Sequence, residues 1–588
     1  MRRLALYSFY SKSGSAGSFV YYYIRELLKA ADVVFLANGI LSADARSRLE
    51  EMGCQVRVRE NKGFDFGAWK DFLLSEDDSF YSRYDEIILC NSSCYGPVYP
   101  FSELFGEMES RSCDFWGLYR NPGSKGRKRS IPPHIQSYFL VLRKRLFSDK
   151  SFLDYFSGLS YAGSREEAVG QEVSFTGYFE ERGFVPSSYL GSSLSKFIED
   201  PTILMPAELL EQRFPLIKRK CFTADYSYIN KISSSAQIRN LISFLENRTE
   251  YPADLIYEDL LRSEKNSNLI RALGLAYVLE SASASGQTVS GSCRIAAVLC
   301  SSMADRIPSN IRYLKYLPDG SSVFVAAVSE KIRDAWTAVL SSLGNFRVEV
   351  MLQEVDSCSE AAFWLTFRDE LSSFDYICLL KDLENTSSDP PLKDSFFSEH
   401  CLSSLLFSKQ YVQNIIGLFQ NHSRLGLLMP FLPMFAEWPE RILNEEWGSS
   451  RKTAERIYSM LQLSVPFDDH PVVPWGGMLW IRSSAMSAFY RHDWGCDDFR
   501  LCQKGAEDGS LRSALLRMYP MIAQESGFFS GCVCPEELAG MELSNLYFTL
   551  QKYSMVKIES GRVHFSDVRK VLGLYLRRKF PGIFGKGK

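Results

Sequence analysis

Five polar or glycine residues at or after the end of the third predicted strand are close enough in sequence to form one binding loop. Arg59 and Asn61 carry donors suited to phosphate or a base, and Asp65 can accept from a ribose hydroxyl or bind a metal. Gly63 and Gly67 allow close approach of the backbone. A tight loop in which Asp65 caps the next helix explains the same residues equally well.

A second group of polar residues follows the fourth predicted strand. Asn91 and Ser93 stand where many nucleotide-sugar enzymes place paired carboxylates for a divalent cation. Without a cation, a diphosphate needs Arg, Lys, His or a helix N-terminus. Arg120 opens a glycine-containing basic stretch, 120–129, that offers such groups, although an ordinary solvated loop is the simpler interpretation.

Two further residues are suited to acid–base chemistry. His134 is the only histidine of the first half and is a candidate for contacting phosphate or acceptor, as is Gln136 beside it, while a structural histidine fits as well. Glu172 lies beside the apolar face of a predicted helix, where a carboxylate can act as general base. Most helical glutamates are merely solvated.

Composition excludes several classes of protein. The 588 residues are 46% hydrophobic with a net charge of −3, which is typical of two to four globular domains and argues against a general nucleic-acid binder. No apolar run reaches the roughly 18 residues of a spanning helix, and the N-terminus lacks an export signal. Fourteen cysteines without a CxxC pair predict reduced thiols in the cytosol.

The hydrophobic pattern alternates strand and helix, which predicts a mostly parallel sheet with helices on both faces. The same series recurs after a Ser/Gly-rich linker, so we expect two copies of an α/β domain. The predicted organisation is a first domain at 1–235, a helical connector and linker at 236–292, a second domain at 293–548 and a basic tail at 549–588.

Several motifs, in one order, resemble the rhamnan synthesis protein F family. They comprise Arg59–Trp69, Asp85–Pro97, Asp114–Gly117, His134–Phe139, Glu172-Val173, Leu425–Pro430 and Gly477–Arg482. The resemblance implies two tandem glycosyltransferase A-type, Rossmann-like domains that build bacterial rhamnose polysaccharide or O-antigen. It further implies dTDP-L-rhamnose as donor, a lipid-linked glycan acceptor and a cytoplasmic location on the inner face of the plasma membrane.

The resemblance also implies roles for the residues above. Glu172 becomes the base of an inverting transfer. The donor-site candidates are Arg59, Asn61, Gly63, Asp65, Asn91 and Ser93, and the diphosphate or acceptor candidates are His134, Gln136 and Arg120. Mg²⁺ or Mn²⁺ stays open as a cofactor, because no acidic metal motif is evident. A UDP-hexose donor and a non-catalytic glycan-binding scaffold are the alternatives.

The second half departs from the family pattern. Matching Gly527-Phe528 to Gly183-Phe184 puts Leu516 where a carboxylate is expected, and a leucine cannot take a proton. We therefore predict that the second domain keeps the fold without catalysis. The alternative is a second active site built from Lys381 and Asp508.

The C-terminal tail is basic and amphipathic. The stretch Val568–Phe580 has no acidic residue, which is typical of a segment that lies on an anionic membrane surface. A helix docked on the second domain is the alternative.

Overall fold

A computed structural model describes the chain except residues 126–129, 192–199, 225–235, 284–292, 340–342, 345, 354–361, 383–391, 436–446, 496–497, 499–510, 555–557, 560–561 and 564–588. The basic tail and Asp508 therefore lie outside the described residues. The chain divides into two units, one of residues 1–264 with 271–274, the other of residues 265–270 with 275–588. The division falls inside the stretch 236–292 that the sequence sets apart as a connector.

The first unit is built on a seven-stranded sheet. Its strands are Arg3–Tyr10 (β1), Asp32–Asn38 (β2), Gln55–Arg59 (β3), Glu86–Asn91 (β4), Phe115–Gly117 (β5), Phe139–Arg143 (β6) and Pro186–Ser188 (β7). They lie in the order β7-β5-β6-β4-β1-β2-β3, and only β6 runs antiparallel to its neighbours. The carboxyl ends of β1 to β4 therefore meet at one edge of the sheet.

Helices cover both faces of this sheet. The larger ones are Ser18–Leu28, Ala43–Glu51, Phe64–Leu73, Phe101–Glu109, Lys150–Gly158, Arg165–Glu180, Gln237–Arg248 and Asp254–Ser263. Leu4 and Leu6 of β1 pack in the cluster that contains Trp69, whereas Ala5 and Tyr7, which alternate with them, are buried on the opposite face. Burial on both faces explains why the strands are continuous apolar runs.

The second unit has an eight-stranded sheet. Its strands are Ala276–Leu279 (β8), Ile295–Ser301 (β9), Ser322–Ala327 (β10), Arg347–Leu352 (β11), Tyr376–Lys381 (β12), Leu425–Pro430 (β13), Leu479–Arg482 (β14) and Phe529–Pro535 (β15). The order is β8-β15-β13-β14-β12-β9-β10-β11, with β14 antiparallel to its neighbours. Apart from the added β8, this is the strand order of the first unit, and the predicted two-domain α/β fold class is confirmed.

The helices of the second unit again flank a sheet that is buried on both faces. They include Ile307–Leu314, Glu330–Val339, Leu392–Leu405, Lys409–Asn421, Arg451–Met460, Leu511–Glu525 and Glu536–Ser554. Alternate residues of β9 enter two separate apolar clusters. Within the described part of the chain, no helix combines the length and apolarity needed to cross a bilayer.

Candidate functional site

A hydrogen-bond network joins the carboxyl ends of three neighbouring strands in the first unit. Asp65 accepts from the Ser8 hydroxyl at 2.7 Å and from the Asn91 amide at 2.8 Å. The Asn38 amide donates to the Ser8 hydroxyl at 3.0 Å. Ser8, Asn38 and Asn91 lie at or near the ends of β1, β2 and β4, so the sheet itself aligns them. We call these four residues, Ser8, Asn38, Asp65 and Asn91, the polar floor. They lie at the edge where α/β sheets bind ligands.

Gly63 explains how Asp65 reaches this floor. It has φ of +73° and begins the helix Phe64–Leu73. A Cβ there would come within 2.7 Å of Tyr161. The hydrophobic pattern predicts a helix over Ala68–Leu74, but the left-handed turn starts it four residues earlier, at Phe64, and puts Asp65 in its first turn. The alternative that Asp65 caps this helix is therefore wrong, because Gly63 occupies the N-cap position.

Burial raises the pKa of Asp65 above its ordinary value, against the opposing effect of the hydrogen bonds from Ser8 and Asn91. A raised folded-state pKa means that the contribution of Asp65 to stability is greatest at acidic pH and declines as pH rises through that pKa. We expect the free energy of unfolding of the wild type, minus that of Asp65→Asn, to fall as the pH rises above about 4, the ordinary pKa of an aspartate. Urea denaturation at a series of pH values measures it, and a difference that grows with pH contradicts the assignment.

The other predicted donor-site residues differ in their contacts and exposure. Arg59 forms an ion pair with Asp71 at 2.6 Å and donates to the Lys62 carbonyl, so it braces the loop. Asn61 is exposed on the same loop. Ser93 donates from its hydroxyl and its backbone to the Asn91 side-chain oxygen, which orients the Asn91 amide toward Asp65.

Glu172 is held in a defined position on the helix Arg165–Glu180. Its Oε2 accepts from the Ser137 backbone N–H at 2.8 Å and from the Ser137 hydroxyl at 2.6 Å. One turn later, Thr176 accepts from the Ile135 N–H at 2.9 Å, which fixes the helix to the same segment. His134 Nε2 lies 3.8 Å from the other carboxylate oxygen, Oε1. These contacts fix the position of the Glu172 carboxylate.

Glu172 and Asp65 use their carboxylate oxygens differently. The negative charge of Glu172 adds slightly to the raised pKa of Asp65, whose main cause is burial. Asp65 uses both oxygens inside the protein, whereas Glu172 keeps Oε1 without a hydrogen bond from any described residue and its side chain is 22% exposed. A base that must accept a proton from a bound hydroxyl needs such an open oxygen.

Two predicted diphosphate or acceptor residues have partners that the sequence does not show. Arg120 forms an ion pair with Glu180 at 2.8 Å. Gln136 accepts from the Lys218 ammonium at 2.9 Å. The end of the basic stretch, residues 126–129, lies outside the described residues.

Sequence reasoning missed four residues of the site, which are Ser8, Asn38, Ser137 and Lys218. Ser8 and Asn38 carry a recognisable signal, because each is a polar residue at the end of an apolar strand. Ser137 and Lys218 carry none, since their partners lie 35 and 82 residues away in the chain.

The donor set at this edge does not fit a divalent cation. Mg²⁺ and Mn²⁺ prefer several carboxylate or carbonyl oxygens around one point. Both oxygens of Asp65 already accept hydrogen bonds, and Asn91 points its amide nitrogen, a donor, at the same place. Across the described ranges, no three His, Cys, Asp or Glu side chains are grouped to hold a metal.

The second unit presents different residues at the matching edge. In the first unit the Arg2 N–H donates to Asp85, and in the second the Arg294 N–H donates to Asp375. These equivalent hydrogen bonds show which residues of the two sheets correspond. Strand pairing then gives Cys300 for Ser8, Val328 for Asn38, Gln353 for Arg59, Lys381 for Asn91 and Gly476 for Ser137. Each of these five residues of the first unit is therefore replaced in the second.

Leu516 of the second unit corresponds in position to Glu172 of the first. The backbone bonds Gly183 to Glu180 and Gly527 to Gln524 align the ends of the two helices, and counting back gives Leu516. A Cβ on Gly477 would lie 2.5 Å from the Lys381 ammonium and 3.4 Å from Leu516. The second unit thus has the buried Lys381 and Leu516 at the positions that Asn91 and Glu172 occupy in the first unit.

Comparisons with known proteins place these sites in context. "Uncharacterized protein y4gN" of Sinorhizobium fredii is 29% identical over 164 residues, which cover 28% of this chain and 42% of the relative. The chain therefore matches less than half the length of that relative.

Among solved structures, the glycosyltransferase GlyE of Streptococcus pneumoniae matches 68% of this chain and 89% of its own at 11% identity and a TM-score of 0.24. A putative nucleotide-diphospho-sugar transferase of Desulfovibrio desulfuricans matches 41% and 96% at 14% identity and a TM-score of 0.21. TM-scores this low do not establish a shared fold, and the fold is assigned from the strand order of the two sheets.

The family comparison covers most of the chain. The family model described as rhamnan synthesis protein F matches residues 33–528, which include most strands of both sheets together with Asp65, Glu172 and Lys381. The resemblance found in the sequence motifs is thereby confirmed, and the chain belongs to the rhamnan synthesis protein F family.

Proposed function

We propose that the protein is a glycosyltransferase of bacterial cell-surface polysaccharide synthesis. It transfers a sugar, L-rhamnose from dTDP-L-rhamnose, to a hydroxyl of a lipid-linked glycan. The observation that carries the proposal is Glu172, which Ser137 holds by one carboxylate oxygen while the other, Oε1, accepts no described hydrogen bond. Family membership supports the sugar and the pathway.

The reaction is a single displacement with inversion. The acceptor oxygen attacks the anomeric carbon while Glu172 Oε1 takes its proton. The bond from the anomeric carbon to the diphosphate oxygen breaks, and its electron pair leaves with the diphosphate. One base suffices for this reaction, because no covalent glycosyl-enzyme has to be formed or hydrolysed.

Transfer depends on the first unit alone in this proposal, and the second unit binds acceptor or supports the fold. We expect Lys381→Met and Asp508→Ala to keep the transfer rate within about threefold of wild type, because neither side chain takes the acceptor proton. Initial rates with saturating donor measure this. If either change abolished transfer while Glu172→Gln did not, catalysis would belong to the second unit.

The basic stretch Val568–Phe580 is the proposed contact with the inner face of the plasma membrane, where a lipid-linked acceptor lies. Co-sedimentation with anionic vesicles, with and without residues 568–588, tests this part.

A product assay with dTDP-L-rhamnose, other dTDP-sugars and UDP-hexoses tests the proposed function. We expect glycan extension with one donor and protection of the protein against thermal unfolding by that donor. Neither extension nor protection by any member of the panel would favour the non-catalytic scaffold.

A further inference from the structure

The departing diphosphate carries negative charge that something at the site must balance. The described residues at this edge do not form a set of metal ligands, as shown above. We propose, on the basis of the proposed function, that the Lys218 ammonium binds the donor diphosphate in place of a divalent cation, so that donor binding and transfer are independent of metal.

Lys218 lies beside the loop that follows β4. The short strand Ile217–Lys218 pairs antiparallel with Cys94–Tyr95, with Lys218 opposite Cys94. Cys94 comes three residues after Asn91. Asn91 and Ser93 stand where paired carboxylates would hold a cation. The fold therefore brings Lys218 next to this loop from a part of the chain more than 120 residues away.

Arg219 fixes this hairpin but is itself neutralised. Its guanidinium forms an ion pair with the buried Asp259 at 2.8 Å, and its backbone N–H donates to the Ser93 carbonyl at 2.9 Å. Tyr95 donates to the same carboxylate at 2.7 Å. These bonds hold the strand that carries Lys218 without using the Lys218 charge.

The Lys218 ammonium keeps donor capacity. It has three N–H groups and donates one described hydrogen bond, to Gln136 at 2.9 Å. Asp200 Oδ2 forms an ion pair with the ammonium at 3.7 Å, too long for a hydrogen bond, and the other Asp200 oxygen accepts from the Thr202 N–H. The side chain is 16% exposed, so it is sheltered from solvent yet open to a ligand.

Lys218 and Glu172 are anchored to consecutive residues of one segment. Gln136 accepts from Lys218, and the next residue, Ser137, donates to Glu172. The cation and the carboxylate thus flank a single short stretch of chain, and no ion pair between them is described. In the displacement, Glu172 takes the acceptor proton while Lys218 stabilises the charge that develops on the diphosphate oxygen.

Nucleotide binding to the full-length protein separates this inference from the proposed function. Calorimetric titrations in EDTA compare dTDP with thymidine, and UDP with uridine, on the wild type, Lys218→Met, Lys218→Arg and Lys220→Met. Lys220, two residues along and exposed, serves as the matched control. We expect Lys218→Met to lose at least tenfold in diphosphate affinity, with nucleoside affinity within twofold and with both Lys218→Arg and Lys220→Met close to wild type.

Three results would overturn the inference. Diphosphate binding by the wild type that requires Mg²⁺ or Mn²⁺, or undiminished binding by Lys218→Met, removes the role of Lys218 and leaves the proposed function intact. Absence of binding to any nucleotide, with or without metal, removes both.

Discussion

Glu172→Gln is expected to lower the rate of sugar transfer by about 100- to 10,000-fold, the usual contribution of a general base. The amide oxygen of glutamine can still accept both hydrogen bonds from Ser137, so the position of the side chain is kept. It cannot take a proton from the acceptor hydroxyl. Initial rates at saturating donor measure the loss, which should appear in kcat with little change in the affinity for donor.

Glu181→Gln is the matched control for this change. Glu181 is an exposed residue at the end of the same helix, and we expect its variant to transfer at the wild-type rate. Equal rates for Glu172→Gln and wild type would remove the assignment of the base. A loss of folded protein, seen by circular dichroism, would show a structural role instead.

Glu86→Gln is expected to destabilise the protein by about 1–3 kcal/mol, because it weakens a buried, charge-assisted hydrogen bond to Arg3, which keeps its second ion pair, with Glu109 at 2.6 Å. Glu86 is 2% exposed and forms an ion pair at 2.7 Å with Arg3, which is 8% exposed. It also lies 3.4 Å from Arg143. Urea denaturation of the full chain measures the effect, and the transition that shifts is the one of the first unit.

An exposed ion pair on the same sheet is the control. Arg2 and Asp32 are 3.1 Å apart with more than half of each side chain exposed. Solvent screens such pairs, so Asp32→Asn should cost at most about 1 kcal/mol. Similar losses for Glu86→Gln and Asp32→Asn would contradict the account of burial.

The strands of both sheets were predictable from sequence because they are buried on both faces and read as apolar runs. The predicted run Asp85–Cys90 corresponds to Glu86–Asn91, a shift of one residue. The helix after β3 was predicted at Ala68–Leu74, whereas it spans Phe64–Leu73. The difference arises at Gly63, whose left-handed conformation starts the helix inside a segment that otherwise looks like a loop.

The candidate site was predictable only in part. Asp65, Asn91 and Glu172 could be selected because each follows or flanks a predicted element at a chemically suitable position. Their partners could not, since Ser137 meets Glu172 through a tertiary contact that no local pattern records. Arg59 could be selected from the sequence, but its ion pair with Asp71 could not be predicted, because that contact depends on how the helix Phe64–Leu73 returns over β3.

The most direct test of the central claim is to map where a nucleotide sugar binds. A photoreactive dTDP- or UDP-sugar is crosslinked to the full-length protein, with and without excess unlabelled donor, and the labelled peptides are identified by mass spectrometry. The account predicts competed labelling within the first unit, in peptides near Asp65, Asn91 or Lys218. Competed labelling confined to the second unit, around Lys381, would contradict it.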